Sequence, residues 1–497
     1  MRYRIAVASA VAVLGLGVVG TVSGPGWDPV PLAETIEVES PDTTIGASEG
    51  TDPVGTYEVV TSVVEVALTG TSIEAQISEP IGAVGLRPGV VFVHGAGTGR
   101  YDVAFLEQAQ ALASAGVVTM VPNKRLDTYS TRERDYVTMA NDYLRSVELL
   151  RRLPGVDPDR VGVYGESEGA WIVPVMAADN PSVAFTVLVA APVVPPRQQA
   201  AFAVDSYLRN TGVPVELLTA IPRIVGMAFP GGGFEYVDFS SRPFQQRMRQ
   251  PMLVVYGTGD AAMPTIQGAE QLIADLEIAG NRDVTVRYYD GADHGIKVDR
   301  VLVPEFARDL AAWIQGLPDA ADAAPSVAGA QPYQRFRAGP VERPRWFADG
   351  DMLLAAVVVG WTGLLLGPVV AGVRRLRGKR GRSLAEGVRT PLVVMAAGSS
   401  AAFVGLTCYL LQVAHLAQNY RRNDVFVQGG WLAIRAVAIA ATVAAVALAS
   451  RVLDGRRRGF PSAARSRVGA FYLGSTFGGS VLILLLLSYF GVFPALL

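Results

Sequence analysis

Long apolar stretches at the two ends of the sequence constrain its fold more than any other feature. One covers residues 5–22, and four more lie at about 352–373, 391–416, 431–449 and 468–493. Each is long enough to cross a hydrocarbon core of about 30 Å as a helix, and in lipid a single segment satisfies its backbone hydrogen bonds only as a helix. The composition, 50% hydrophobic and 18% charged, favours a membrane protein over a soluble one. We therefore predict a C-terminal bundle of four transmembrane helices over residues 351–497.

The first apolar stretch follows a basic start, with Arg2 and Arg4. A charged start and an apolar body are typical of an export signal, and Thr21 and Ser23 have the small size of cleavage-site residues. The stretch is also nearly long enough to span a bilayer. Residues 1–24 are therefore a signal peptide or a retained anchor, and either one exports the segment that follows.

The connections between the C-terminal stretches predict their orientation. Basic residues near membrane ends stay on the cytoplasmic side. The second connection has two arginines and an aspartate, whereas the first and third are strongly basic. We expect the first and third to be cytoplasmic and residues 25–350 to be extracytoplasmic. The basic residues are Arg374, Arg375, Arg377, Lys379, Arg380, Arg382 and Arg389 in the first connection, and Arg451, Arg456, Arg457, Arg458, Arg465 and Arg467 in the third.

The overall charge and the cysteine content exclude other classes. The net charge of -2 shows no basic excess, so nucleic acid is not an expected partner. The single cysteine, Cys408, excludes an intramolecular disulfide framework. Because it lies in an apolar stretch, we expect it to be a small buried hydrophobe.

The exported region divides into a tether, a folded domain and a linker. Residues 25–56 are rich in Pro, Thr, Ser, Glu and Gly, which predicts a flexible tether, and residues 318–350 resemble a linker. Between them, strand and helix patterns alternate, which predicts an α/β fold with a mostly parallel sheet covered on both faces. Residues 195–250 interrupt the alternation and suggest a cap over a site. The predicted strands are 57–68 and 71–78 as a hairpin, then 89–93, 117–121, 160–164, 184–190, 252–256 and 284–289; the predicted helices are 101–115, 134–152, 168–178, 266–279 and 301–313.

The central chemical signal is a G-x-S-x-G pattern, which places Ser167 between Gly165 and Gly169. It directly follows a predicted strand and directly precedes a predicted helix, and in that context a sharp turn exposes the serine oxygen as a nucleophile. The same pattern occurs at residues 46–50, around Ser48, but it follows no strand and lies in the predicted tether. We therefore take Ser167 as the candidate nucleophile.

A serine nucleophile needs a base, and the base needs an orienting acid. His294 lies in a loop after the last predicted strand, where its imidazole could turn back toward the serine. Asp260 follows the strand at 252–256 and is the candidate acid, with Asp290 and Asp293 as substitutes. The order Ser, Asp, His along the chain is that of α/β-hydrolases.

These motifs resemble the α/β-hydrolase superfamily, in particular its dienelactone-hydrolase and prolyl-oligopeptidase-like branch, over residues 57–317. The matching segments are HGAG at 94–97, DPDRVGVYGESEG ending at Gly169, PMLVVYGTGD ending at Asp260, and GADHG ending at Gly295. The resemblance implies an oxyanion hole made by the backbone N–H groups of Ala96 and Glu168. It also implies that His94 shapes the turn that carries Ala96.

The favoured function is an extracytoplasmic, membrane-anchored serine hydrolase that cleaves carboxylic esters through an acyl-enzyme. Alternatives are a serine peptidase of the prolyl-oligopeptidase type, an acyltransferase acting on envelope lipids, and a membrane partner module whose hydrolase domain is inactive. The expected partners are an ester or acyl-containing substrate, which could be lipid-like, and membrane lipids. No cofactor or metal ion is expected, and the substrate-binding residues and oligomeric state stay open.

Overall fold

The computed structural model describes residues 2–33, 35–46, 51–130, 134–229, 236–322, 324–378, 384–457 and 463–494. The chain forms two compact units. The sheet unit comprises Pro29–Ala203 and Tyr236–Pro340, and the helical unit comprises Met1–Asp28, Val204–Glu235 and Val341–Leu497. Parts of the sequence predictions lie outside the described residues, namely most of the second G-x-S-x-G pattern, Lys379, Arg380 and Arg382 of the first basic connection, and Arg458 of the third.

Eleven strands and fourteen α-helices are present in the described part of the chain. The strands are β1 Val59–Leu68, β2 Thr71–Pro80, β3 Arg87–Val93, β4 Val118–Pro122, β5 Val156–Glu166, β6 Thr186–Val189, β7 Met252–Gly257, β8 Val284–Tyr289, β9 Lys297–Val298, β10 Val301–Leu302 and β11 Val327–Gly329. The helices are α1 Arg2–Val22, α2 Leu106–Ser114, α3 Tyr136–Leu150, α4 Gly169–Ala177, α5 Pro196–Thr211, α6 Val215–Leu218, α7 Ala220–Val225, α8 Arg242–Gln245, α9 Thr265–Ile278, α10 Pro304–Gly316, α11 Gly350–Leu376, α12 Arg389–Gln418, α13 Asp424–Arg457 and α14 Arg467–Tyr489.

Nine strands form one sheet in the order β1-β2-β4-β3-β5-β6-β7-β8-β11. The β1–β2 hairpin pairs antiparallel and turns where Leu68 faces Thr71, next to Gly70 with a φ of 79°. β2 is also antiparallel to β4, and every pairing from β4 to β11 is parallel. β4, β6, β7 and β8 are buried along their whole length, because helices cover both faces of a parallel sheet. This is the α/β-hydrolase fold, as the sequence predicts.

Two segments outside the predicted domain are part of the sheet unit. Within 25–56, Ile45 is buried, and the carboxylate of Glu39 accepts hydrogen bonds from Ser326 and Val327. Within 318–350, β11 adds a ninth strand beside β8. The structure differs from the predicted tether and linker here because parts of both segments pair with partners that are distant in the sequence, which local composition does not reveal. Similarly, residues 204–235 of the predicted cap belong to the helical unit.

Among its described residues, the helical unit contains five helices that are long and apolar enough to cross a membrane: Tyr3–Val22, Gly350–Leu376, Arg389–Gln418, Asp424–Gly455 and Arg467–Tyr489. The last four are the predicted C-terminal set. A core that includes Tyr409, Trp431 and Leu487 lies between them. Cys408 is exposed on α12, so the expectation of a buried thiol is wrong. If α12 spans a membrane, such an outward-facing position would contact lipid instead of protein.

Candidate active site

Ser167 lies in the turn between β5 and α4 with a φ of 56°, a left-handed conformation that non-glycine residues rarely adopt. The flanking glycines explain how the turn fits. A Cβ on Gly169 would lie 2.3 Å from the Val93 carbonyl oxygen, and one on Gly165 would lie 2.6 Å from Val173 Cγ2. Only glycine permits this close approach, so the pattern G-x-S-x-G holds the serine in a strained, half-buried elbow.

The loops after β7 and β8 bring Asp260 and His294 together. Asp260 Oδ2 lies 2.8 Å from His294 Nδ1, and the aspartate side chain is fully buried. The backbone of the two loops touches at Gly257, where an added Cβ would lie 2.2 Å from the Ala292 carbonyl oxygen. Because Asp260 occupies Nδ1, the Nε2 atom of His294 stays available for proton transfer.

The two substitute acids have other contacts. Asp293 Oδ1 accepts the backbone N–H groups of Gly295 and Lys297, both at 3.0 Å, and so holds the histidine loop in shape. Asp290 accepts a hydrogen bond from Thr258. Of the three candidate aspartates, Asp260 is therefore the one whose carboxylate contacts the His294 imidazole.

Negative charge surrounds the imidazole. Burial alone would lower the pKa of His294, but the facing Asp260 carboxylate outweighs it, with smaller contributions from Glu166 and Asp293, and raises the pKa to about 9. Burial raises the pKa of the Glu166 carboxyl, while the His294 charge and the Tyr164 hydroxyl oppose that rise. The Glu166 carboxylate, just before Ser167, and the His294 ring therefore influence each other's protonation. Within the described residues, no hydrogen bond joins the Ser167 hydroxyl to that ring.

The turn after β3 carries the predicted oxyanion donor Ala96, which is exposed. Next to it, Gly95 lies against the elbow, because an added Cβ would meet Ser167 Cβ at 3.2 Å. His94 is buried, and its Nε2 lies 2.7 Å from the Pro122 carbonyl oxygen at the end of β4. Burial lowers the pKa of His94 to about 4, so the ring is neutral and shapes the turn.

Glu168, the other predicted oxyanion residue, directly precedes α4, and its side chain has a role that sequence reasoning missed. Its carboxylate is 1% exposed and accepts hydrogen bonds or ion pairs from four donors. These are Lys124 at 2.9 Å, Tyr129 at 2.8 Å, Arg134 at 3.1 Å and Tyr136 at 3.2 Å. Lys124 lies two residues after the end of β4, so the available signal was a lysine just beyond the carboxyl end of a buried strand.

Comparisons with known proteins agree with this fold. Residues 103–318 match the model of the Prolyl oligopeptidase family. No curated protein matches the sequence.

Three solved structures illustrate the similarity. A putative dienelactone hydrolase from Klebsiella pneumoniae is 18% identical over 54% of this chain and 100% of its own, with a TM-score of 0.37. An acylaminoacyl peptidase from Pyrococcus horikoshii is 18% identical over 52% of this chain and 40% of its own, with a TM-score of 0.37. Est1E from Butyrivibrio proteoclasticus is 16% identical over 50% of this chain and 96% of its own, with a TM-score of 0.35.

The strand order, the glycine-flanked serine elbow and the family match define the class of this protein. The sheet unit is an α/β-hydrolase domain of the serine-hydrolase type. Several helices of the same chain could span a membrane, which indicates membrane association.

Proposed function

We propose that this protein is a membrane-anchored serine hydrolase that cleaves carboxylic esters on the extracytoplasmic side. The observation that carries the proposal is the strained Ser167 elbow, at the edge of the sheet where the Asp260–His294 pair also lies. Ionisable pairs and strained nucleophiles gathered at the carboxyl ends of parallel strands are typical of catalytic sites.

The proposed reaction proceeds through an acyl-enzyme. The Ser167 hydroxyl attacks the ester carbonyl while His294 Nε2 takes its proton, and Asp260 stabilises the imidazolium that forms. The backbone N–H groups of Ala96 and Glu168 would bind the oxyanion, a contribution of roughly 10²–10³ in kcat for each donor. The imidazolium then protonates the leaving alcohol. Water, activated by the same ring, releases the acid and restores Ser167.

A peptidase is the second candidate, because residues 103–318 match the Prolyl oligopeptidase family. The same residues would serve both reactions, and the difference is the leaving group, an alcohol or an amine. An acyltransferase would replace water with another acceptor. The substrate therefore decides between these activities.

Labelling of the detergent-solubilised full chain with a fluorophosphonate probe tests whether Ser167 is a nucleophile. We expect labelling of the wild type and loss of labelling in Ser167→Ala. The matched control is Ser48→Ala, which alters the other G-x-S-x-G pattern and should retain full labelling. Equal absence of label in wild type and Ser167→Ala would refute the proposal and favour an inactive partner module.

Substrate class requires a second measurement. A panel of p-nitrophenyl esters of increasing chain length, run beside peptide p-nitroanilides, compares the two leaving groups. We expect kcat/KM to be higher for the esters. A preference for the anilides would replace the esterase proposal with the peptidase.

A further inference from the structure

A single buried ammonium group contacts both segments of the proposed oxyanion hole. Lys124 Nζ donates to the Gly95 carbonyl oxygen at 2.8 Å and to Glu168 Oε2 at 2.9 Å. Its side chain is 2% exposed, and its backbone N–H donates to the Gly99 carbonyl oxygen at 2.8 Å. Lys124 is therefore fixed at both ends, at the base of the turn that carries Ala96.

The contact with Gly95 acts on the Ala96 donor through one peptide unit. The Gly95 carbonyl and the Ala96 N–H belong to the same planar, trans peptide, so they point in opposite directions. A cation held on the oxygen fixes the orientation of the N–H on the other side. It also polarises the peptide, because hydrogen bonds in a chain strengthen one another by roughly 10–30% each. The Ala96 N–H thereby becomes a better-aimed and stronger donor.

The contact with Glu168 fixes the second donor. Glu168 directly follows Ser167, and its own backbone N–H is the other proposed oxyanion donor. Lys124, Tyr129, Arg134 and Tyr136 hold its carboxylate in place. The ring of Tyr129 also packs on the Lys124 ammonium, at 4.3 Å from the ring centre. The start of α4 and the turn after β3 therefore share one anchor.

We propose that Lys124 is a positioning residue for the oxyanion hole, which sets the spacing and strength of the Ala96 and Glu168 N–H donors. This inference rests on the proposed function. A binding measurement distinguishes this positioning role of Lys124 from a purely structural one. A buried ion pair that only stabilises the fold changes the amount of folded protein, but it does not change the affinity of the folded protein for a transition-state analogue.

The test compares Lys124→Met, Lys124→Arg and Glu168→Gln with the wild type in the full chain. The readouts are kcat and KM for a p-nitrophenyl ester and Ki for a trifluoromethyl ketone, whose hemiketal oxyanion occupies the hole. We expect Lys124→Met to lower kcat by about 10–100-fold, less than the loss of a whole donor, with KM changed by less than about threefold. Ki should rise by the same factor as kcat/KM falls.

The other variants separate the two contacts. Lys124→Arg keeps the charge and should recover part of the lost activity. Glu168→Gln leaves the contact with Gly95 intact and should cost less than Lys124→Met. The matched control is Arg87→Met, which removes a partly buried ion pair of the sheet unit, with Asp52 at 2.6 Å, and should leave Ki unchanged.

A folded Lys124→Met protein with wild-type Ki and kcat would overturn the inference. If Lys124→Met does not fold, the double variant Lys124→Met/Glu168→Gln removes the unpaired buried carboxylate and is compared with Glu168→Gln alone. A Ki above that of Glu168→Gln supports the inference, and a Ki equal to that of Glu168→Gln overturns it. A wild type that neither takes up the fluorophosphonate nor hydrolyses any ester would remove the proposed function itself, and with it this inference. An active wild type with an unaffected Lys124→Met would overturn the Lys124 role alone.

Discussion

The imidazole of His294 lies between two carboxylates with different roles. Asp260 contacts Nδ1 directly at 2.8 Å, whereas Glu166 acts through its charge. Both favour the imidazolium, which is the state that the proposed attack of Ser167 would form. As a consequence, the His294 imidazole of the free protein stays protonated until the pH approaches its pKa of about 9.

The rate of ester cleavage should therefore rise with pH. A general base works only when neutral, so kcat/KM should increase through an apparent pKa of about 9. Glu166→Gln removes a charge that raises the pKa of His294, so the rising limb should move to lower pH. A pH–rate profile between about pH 6 and 10 measures both effects.

The control for this shift is Glu305→Gln, an exposed glutamate in the first turn of α10. It should leave the profile unchanged. A Glu166→Gln profile that coincides with the wild type, or that moves to higher pH, would contradict the electrostatic account of His294.

At the scale of elements, glycines determine how closely α11 and α14 pack. A Cβ on Gly479 would lie 2.6 Å from the Gly360 carbonyl oxygen, and one on Gly363 would lie 2.8 Å from the Ser475 carbonyl oxygen. In lipid, where the hydrophobic effect does not drive helices together, such close backbone packing is a main source of association. Close backbone packing at these glycines therefore holds α11 and α14 together.

Gly479→Val should separate the two helices, whereas Gly478→Val should not. Backbone atoms block the new side chain at 479, and nothing lies within 4 Å of a Cβ at 478. Both substitutions replace glycine by valine in the same helix, so they change the intrinsic helix propensity equally, and Gly478→Val is a matched control. We expect Gly479→Val to destabilise the protein by about 1–3 kcal/mol relative to Gly478→Val. Thermal unfolding in detergent, followed by tryptophan fluorescence, measures the difference, and equal midpoints would contradict the packing argument.

For the whole molecule, the charge pattern of the connections supports an extracytoplasmic hydrolase domain. Two exposed apolar residues lie at the connections of opposite predicted side. Val425, 86% exposed, lies in the first turn of α13 after the weakly charged second connection, and Leu376, 89% exposed, ends α11 before the basic first connection. Their similar exposure makes them a matched pair for a topology test.

Cysteine labelling of intact cells should distinguish the two sides. In a Cys408→Ser background, a membrane-impermeable maleimide should label Val425→Cys in intact cells. It should label Leu376→Cys only after the cells are permeabilised. The reverse pattern would place the hydrolase domain in the cytoplasm.

The sequence alone determined the features that depend on local periodicity and on fixed motif geometry. Alternating strands and helices gave most of the sheet, because a two-residue period and a 3.6-residue period bury different faces. The strand-to-helix context also distinguished the two serine patterns. Gly169 tolerates no Cβ, whereas a Cβ on Gly46 of the other pattern meets nothing within 4 Å.

Only the tertiary structure decided which distant residues meet. The Lys124–Glu168 pair spans 44 positions, and β11 pairs with β8 although it is three residues long and lies in a segment that resembles a linker. Neither contact has a local pattern, because a buried ion pair and a short parallel strand depend on partners that the fold supplies. The sequence thus predicts candidates for the nucleophile, base and acid by motif and order, whereas the groups that hold them in place become visible only when the chain is folded.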